Sequence, residues 1–102
     1  MLELRPNCEC CDKDLPPGSR DARICSYECT FCAECVDGVL HNVCPNCGGG
    51  FAPRPIRPVN AWRPGVCLAR HPASSKRVHA RWQRDEAVRF AERVRSTGPA
   101  QR

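Results

Sequence analysis

With 102 residues, of which only three are Phe, two Trp, one Tyr and one Met, the chain has room for one small domain and few large side chains to fill it. Its formal net charge of +5 hides an asymmetry, because residues 1–50 carry four Lys/Arg and eight Asp/Glu (net −4) whereas residues 51–102 carry twelve and three (net +9). This composition excludes a large apolar core, and it confines any affinity for nucleic acid to the second half of the chain.

Two further classes are excluded by the pattern of hydropathy. The N-terminal residues Met-Leu-Glu-Leu-Arg-Pro lack the basic and apolar regions of a secretory signal, and no run of about 18 apolar residues predicts a membrane span. We therefore expect a cytoplasmic protein without a membrane partner. In such a reducing compartment, clustered cysteines indicate metal sites more than disulfides.

The elements predicted for the first half of the chain are short. Alternation in 2–4 predicts a strand, and the Pro- and Gly-containing stretch 12–19 predicts a turn-rich loop. Residues 22–25 are typical of one arm of a hairpin, with Ile24 turned inward. Phe31 is placed to fill a core between two metals. A short helix is predicted over 33–40, with its apolar residues on one face.

The second half divides into three predicted segments. Residues 51–74 are predicted to be a Pro/Arg-rich linker, in which Trp62 and the run Val66-Cys67-Leu68 are expected to lie back on the first half. A basic amphipathic helix is predicted over 75–97, and residues 98–102 are predicted to be a disordered tail. The apolar stripe of the helix falls at positions i, i+3, i+4 and i+7, which are Ala87, Phe90, Ala91 and Val94.

Eight of the ten cysteines form four closely spaced pairs: Cys8/Cys11, Cys25/Cys29, Cys32/Cys35 and Cys44/Cys47. A C-x-x-C step lets two thiolates from one tight turn bind the same tetrahedral ion, and eight thiolates complete two closed all-thiolate sites for two Zn²⁺ ions. Cys10 and Cys67 are then spare. His41 is an alternative to Cys29 as a ligand.

Between successive ligands lie two, thirteen, three, two, two, eight and two residues, with Phe31 before the fifth ligand and Pro45 inside the last pair. This spacing resembles the RING finger consensus in an all-cysteine variant, over residues 8–47. The resemblance implies a small metal-stabilised α+β fold: a RING-like, treble-clef zinc-finger domain at residues 1–50 (the head), followed by the Pro/Arg-rich linker and one C-terminal amphipathic helix.

The resemblance to RING domains also implies how the ligands are shared. In their cross-brace, the first and third pairs hold one ion, here Cys8, Cys11, Cys32 and Cys35. The second and fourth pairs hold the other ion, here Cys25, Cys29, Cys44 and Cys47. Two sequential sites are the alternative, with the first two pairs at one ion and the last two pairs at the other.

A second resemblance rests on longer runs of sequence. The opening M-L-E-L-R-P-N-C-E-C-C and the runs C-T-F-C-A-E-C and C-P-N-C-G-G are similar to a family of short bacterial Cys-rich proteins known as domain of unknown function 1272. The similarity covers the head and residues 68–78. It implies a bacterial cytosolic protein with RING-like zinc binding, and it implies no activity.

These observations favour a non-catalytic zinc module that mediates an interaction with another protein. When all four ligands of each ion are cysteines, the coordination sphere has no open position for water or substrate. No nucleophilic residue has a candidate base near it in the sequence. We therefore predict that the protein is not an enzyme.

Three alternatives stay open. The first is binding of RNA or DNA through the basic residues of 51–102, together with Trp62 and Trp82. The second is ubiquitin-ligase activity, although Glu9 and Gly48 depart from that family where ligases contact the conjugating enzyme. The third is an iron or redox protein, because the last Cys pair resembles a rubredoxin knuckle.

Overall fold

The hairpin predicted from residues 22–25 forms the centre of a three-stranded antiparallel sheet. The computed structural model describes residues 1–102. Strand β1 (Ala22–Ile24) lies between β2 (Thr30–Cys32) and β3 (Ala52–Pro53). Ala22 is buried, and Ile24 on the same face is half-buried. Because no strand exceeds three residues, the sheet serves mainly to orient the loops that leave its ends.

The helix predicted over 33–40 is confirmed. It begins with one α-helical turn, α1 (Ala33–Cys35), and continues as a π-helical turn (Val36–Leu40). The apolar side chains of the π-helical turn are buried, as the pattern predicted, and its end is set by His41, whose φ of 47° is left-handed. Because the helix begins directly after β2, its first turn places Cys35 in the core.

Phe31 is fully buried at the centre of the core, as the sequence predicted. Its ring meets Phe51 edge to face, with centroids 5.4 Å apart, and stacks on Trp82 at 6.4 Å. Trp62 and Val66, which were expected to lie back on the head, are 80% and 53% exposed, so that expectation is wrong for their side chains. Cys67 from the same segment is buried. The core thus consists largely of cysteines, leucines, valines and one aromatic cluster.

Residues 54–83, here called the strap, run back across the head. Arg54 is only 4% exposed, and its guanidinium donates to the carbonyls of Arg5 (2.8 Å), Leu15 (3.2 Å) and Pro16 (3.0 Å). Arg77 pairs at the surface with Asp12 and Asp14, among other contacts. Arginine side chains therefore attach much of the strap to the head.

The predicted strand at residues 2–4 does not form. The carbonyl of Leu2 accepts a hydrogen bond from the Arg57 guanidinium (2.7 Å), and the carbonyl of Leu4 accepts one from the Ser74 amide (3.0 Å). Leu4 is buried beneath these contacts. The strap thus takes the backbone acceptors that a neighbouring strand would have used.

The C-terminal helix α2 (Arg84–Val94) begins nine residues later than the start predicted at 75. Before it, Val78 exchanges two hydrogen bonds with the side chain of Asn7 (3.0 and 3.2 Å), and the Ala80 amide donates to the backbone of Glu9 (3.1 Å). These contacts hold residues 78–80 extended against the head. No helix in the structure is long and apolar enough to cross a membrane.

The last residues are ordered, contrary to the expectation of a disordered tail. A 3₁₀ turn spans Pro99–Gln101, and the Arg102 guanidinium donates to the carbonyls of Asn42 (2.9 Å) and Gly48 (3.1 Å). Together with the buried Ala87 and Ala91 of α2, this contact closes the C-terminal segment onto the head.

Candidate metal centres

Four sulfur atoms meet at a first site, those of Cys8, Cys11, Cys32 and Cys35, all within 4.8 Å of one another. The Cys11 and Cys32 sulfurs are 3.7 Å apart. A disulfide would need about 2.05 Å. By contrast, the edge of a sulfur tetrahedron around an ion at about 2.3 Å is about 3.8 Å. This first cluster therefore has the dimensions of a tetrahedral thiolate metal site.

The first cluster is assembled from a tight turn and the β2–α1 junction. In the turn, the Asp12 amide donates to the Cys8 carbonyl (2.9 Å), and the Cys11 amide points at the Cys8 sulfur (3.5 Å). Cys32 is the last residue of β2, and Cys35 ends α1 three residues later. A strand that runs directly into a helical turn thus delivers the second pair of sulfurs to the first.

A second cluster contains three sulfur atoms within 4.8 Å of one another, those of Cys25, Cys44 and Cys47. The Cys44–Cys47 turn is closed by the Gly48 amide, which donates to the Cys44 carbonyl at 2.7 Å. Gly48 has a φ of +81°, a conformation that glycine adopts without steric cost. The Tyr27 and Gly49 amides approach the Cys25 and Cys47 sulfurs at 3.3 and 3.4 Å.

The remaining predicted ligands and spare residues are placed differently. Cys29 is buried beside Cys25 and the Asn46 side chain, but its sulfur does not lie within 4.8 Å of all three members of the second cluster. His41 belongs to neither cluster. Cys10 contacts Cys35 at the margin of the first cluster, and Cys67 is buried in the strap.

The clusters combine cysteines that are far apart in sequence. The first joins the first and third pairs, and the second joins Cys25 with the fourth pair. This is the interleaved grouping, so the sequential alternative, which would join Cys8 and Cys11 to Cys25, is contradicted by the geometry. Neither cluster can form until residues 8–47 have folded around both.

Burial sets the protonation of these thiols. It raises the pKa of Cys8 to about 11 and also raises the pKa of Cys35 and Cys44. For Cys11, burial opposes ionisation, but hydrogen bonds from the Lys13 backbone and the neighbouring thiols outweigh it and lower the pKa. Since a metal binds thiolates, an ion entering the first cluster has to displace protons.

A buried polar group supports the second cluster. Glu9, only 6% exposed, accepts a hydrogen bond from the Asn46 amide (3.1 Å) and lies 3.5 Å from the Arg5 guanidinium. Asn46 also accepts a hydrogen bond from the Trp82 indole (3.2 Å). Asn46 thereby fixes the loop between Cys44 and Cys47. The sequence analysis assigned no role to Asn46. Its position between the two cysteines of C-P-N-C is the feature from which a role at the metal site could have been predicted.

The chain is similar to known proteins whose function is not assigned. A family model described as "Protein of unknown function (DUF1272)" matches residues 1–57. An uncharacterised protein of Rhizobium meliloti (strain 1021) is 56% identical over 78 residues, which cover 76% of this chain and 86% of the relative. No solved structure matches the chain. The chain, with its two cysteine groups that can each hold a metal ion, belongs to the DUF1272 family of proteins of unknown function.

Proposed function

We propose that this protein is a zinc-binding, non-catalytic module of the RING-like type, which acts in the bacterial cytoplasm by binding another protein. The observation that carries the proposal is the interleaving of the two thiol clusters between residues 8 and 47. That arrangement is the one implied by the RING resemblance.

Zinc is favoured by the donor set. Soft thiolates select zinc, copper(I) or iron–sulfur chemistry among the common metals, and a closed tetrahedral cage of four sulfurs is typical of structural zinc. All four members of the first cluster are cysteines, so an ion there would have no open position for a substrate. A structural role therefore fits the site better than catalysis.

We further propose that Cys29 is the fourth ligand of the second site. It is 8% exposed, and its carbonyl accepts a hydrogen bond from the Cys25 amide (3.2 Å), which holds the two residues together. A change of its χ1 rotamer would redirect the sulfur without moving the backbone. His41, half-buried after the π-helical turn, is the alternative ligand.

Metal analysis of the purified protein, which gives the identity of the metal and the number of ions per chain, tests the proposal. We expect two zinc ions per chain and a colourless protein, because zinc has no d–d transitions; an iron tetrathiolate would be red. The variants Cys10→Ser and Cys67→Ser should keep both ions. Cys29→Ser should weaken the second site, whereas His41→Ala should not. Iron, or fewer than two ions, would contradict the proposal.

Binding of RNA or DNA by the basic second half is a second candidate function. Arg63, Arg70 and Lys76 are exposed and have no carboxylate within 4.0 Å, which favours contact with an anion. However, Trp82 stacks on Phe31 and is not free to stack on a base. Binding of the full chain to RNA should then weaken steeply as salt rises; binding independent of salt would exclude this candidate.

Ubiquitin-ligase activity has less support. A ligase usually presents an apolar side chain after the first metal ligand, and Glu9 at that position is buried and hydrogen-bonded to Asn46. A pull-down with a ubiquitin-conjugating enzyme tests this alternative, and a specific complex would support it.

A further inference from the structure

The exposed large apolar side chains of this protein are concentrated in one part of the chain. Six such residues exist, and five of them lie at the N-terminus or between residues 56 and 66: Met1 (84% exposed), Ile56 (52%), Val59 (74%), Trp62 (80%) and Val66 (53%). Only Tyr27 lies elsewhere, in the hairpin turn. Contiguous exposed apolar residues with a polar rim mark an interaction surface more often than scattered ones do.

A groove of about 230 Å³ runs through this part of the surface. Its apolar walls come from Met1, Pro58, Trp62, Val66 and Cys67. The volume is below the range of about 300–1,000 Å³ typical of sites for drug-sized molecules and cofactors. A single large side chain of a partner suits the groove better than a small-molecule ligand does.

The groove is held open by hydrogen bonds of the strap. The Arg57 guanidinium donates to the carbonyls of His71 and Leu2, both at 2.7 Å, and so ties the two sides of the groove together. The Leu68 amide donates to the Pro58 carbonyl (2.9 Å). A ligand would therefore meet a preformed surface, which reduces the entropy lost on binding.

The charge around the groove is positive and largely unpaired. No Asp or Glu occurs between residues 38 and 84 of the sequence. Arg63 on the rim has no carboxylate within 4.0 Å, and neither does Arg70, which lines an adjoining depression of about 290 Å³ together with Arg57. The acid in that depression, Glu3, is already paired with Arg5 at 3.1 Å.

We propose that this face binds an acidic segment of a partner protein, with a large apolar side chain in the Trp62 groove and neighbouring carboxylates on Arg63 and Arg70. The inference rests on the proposed role as a protein-binding module and names its surface and the chemistry of its partner. Protein is favoured over nucleic acid because sequence-tolerant base stacking needs successive aromatic faces, whereas Trp62 is the only Phe, Tyr or Trp that lines the groove.

The test uses the full-length, metal-loaded protein on an array of random ten-residue peptides, with a polyuridine oligonucleotide as the nucleic-acid probe. We expect selection of peptides that combine Leu, Ile, Phe or Met with Asp or Glu. Trp62→Ala should weaken binding of a selected peptide more than about tenfold, because a central aromatic anchor is lost. The double variant Arg63→Glu with Arg70→Glu should also weaken binding of the selected peptide. Its loss of affinity should grow as the salt concentration is lowered, because the new carboxylates repel the acidic peptide. The control Tyr27→Ala removes an exposed apolar residue in the hairpin turn, which does not line the groove, and should leave peptide binding unchanged.

Three results would overturn the inference: no selected peptide, selection of peptides without acidic residues, or unchanged binding by the Trp62→Ala variant. Binding to polyuridine with no peptide selected would assign the face to nucleic acid instead. Metal content is measured in the same samples. A protein that holds two zinc ions but selects no peptide refutes this inference alone, whereas a protein without tightly bound metal refutes the proposed metal site.

Discussion

The head and the strap are both segments with little apolar interior, and they are held in place by different chemistry. In the head, cysteine sulfurs from distant turns converge into two clusters with the dimensions of metal sites. In the strap, long arginine side chains reach into the head and donate to backbone carbonyls. The comparison indicates that a short chain can supplement a small hydrophobic core with a few contacts of high specificity.

The two regions also differ in what their charges do. Residues 1–50 are net negative and residues 51–102 net positive, and general attraction between them would predict many ion pairs across the interface. Arg54 and Arg57 instead donate to carbonyls, while Arg77 pairs with Asp12 and Asp14. Several arginines of the strap are left free of carboxylates, which is the basis of the proposed acidic partner.

The largest predicted effect is in the head, where the loss of one ligand should unfold both clusters. Cys32→Ser should abolish binding at the first site and, because the ligands interleave, lower affinity at the second. Structural zinc sites contribute about 10–16 kcal/mol of apparent binding energy, which is comparable to or larger than the about 5–15 kcal/mol by which a native domain is stable. Circular dichroism and metal content measure the result. If Cys32→Ser loses one ion and keeps a folded second site, the coupling between the clusters is refuted.

The second prediction concerns the pH dependence of metal binding. The pKa of the Cys8 thiol is raised to about 11 in the folded chain, so the thiol is protonated at neutral pH, and an ion has to displace that proton. Affinity should therefore rise with pH and fall at least about tenfold for each unit of acidification. Competition with a chelating indicator between about pH 8 and about pH 6 measures this slope. An affinity that does not change with pH would contradict it.

Arg54→Met tests the attachment of the strap. The substitution leaves the carbonyls of Arg5, Leu15 and Pro16 without their donor, at a position only 4% exposed. We expect a loss of about 3 kcal/mol in the free energy of unfolding, measured by urea denaturation of the metal-loaded protein.

The matched control for this substitution is Arg63→Met. Arg63 is exposed and forms no ion pair, so its replacement should change the free energy of unfolding by less than about 0.5 kcal/mol. Equal effects of the two substitutions would mean that the buried guanidinium does not hold the strap.

The smallest expected loss of stability comes from substitution of the two tryptophans, whose environments differ most. Trp82→Ala removes a ring stacked on Phe31 and a hydrogen bond to Asn46, and should cost about 2 kcal/mol of stability. Trp62→Ala, at an 80% exposed side chain, should cost less than about 0.5 kcal/mol. The same urea titrations measure both variants. A larger loss from Trp62→Ala than from Trp82→Ala would contradict the assignment of Trp82 to the core.

The parts of the fold that follow from local spacing were predictable. The hairpin at Ala22–Ile24 and the helix over 33–40 depend mainly on neighbours within a few residues. The predicted strand at 2–4 was wrong because its pattern is local, whereas the acceptors of Leu2 and Leu4 are taken by residues more than 50 positions away.

The sequence alone established the three C-x-x-C pairs, Cys8/Cys11, Cys32/Cys35 and Cys44/Cys47, each of which shares one cluster, because that step brings two sulfurs together in one tight turn. Only the tertiary structure decided how the pairs combine, where Cys29 lies, and which tryptophan packs against the core. The same holds for the start of α2, since residues 78–80 bond to the head in place of forming a helix. These outcomes depend on contacts between segments far apart in the chain. A pattern of hydropathy or residue spacing describes only neighbours in sequence and cannot predict such contacts.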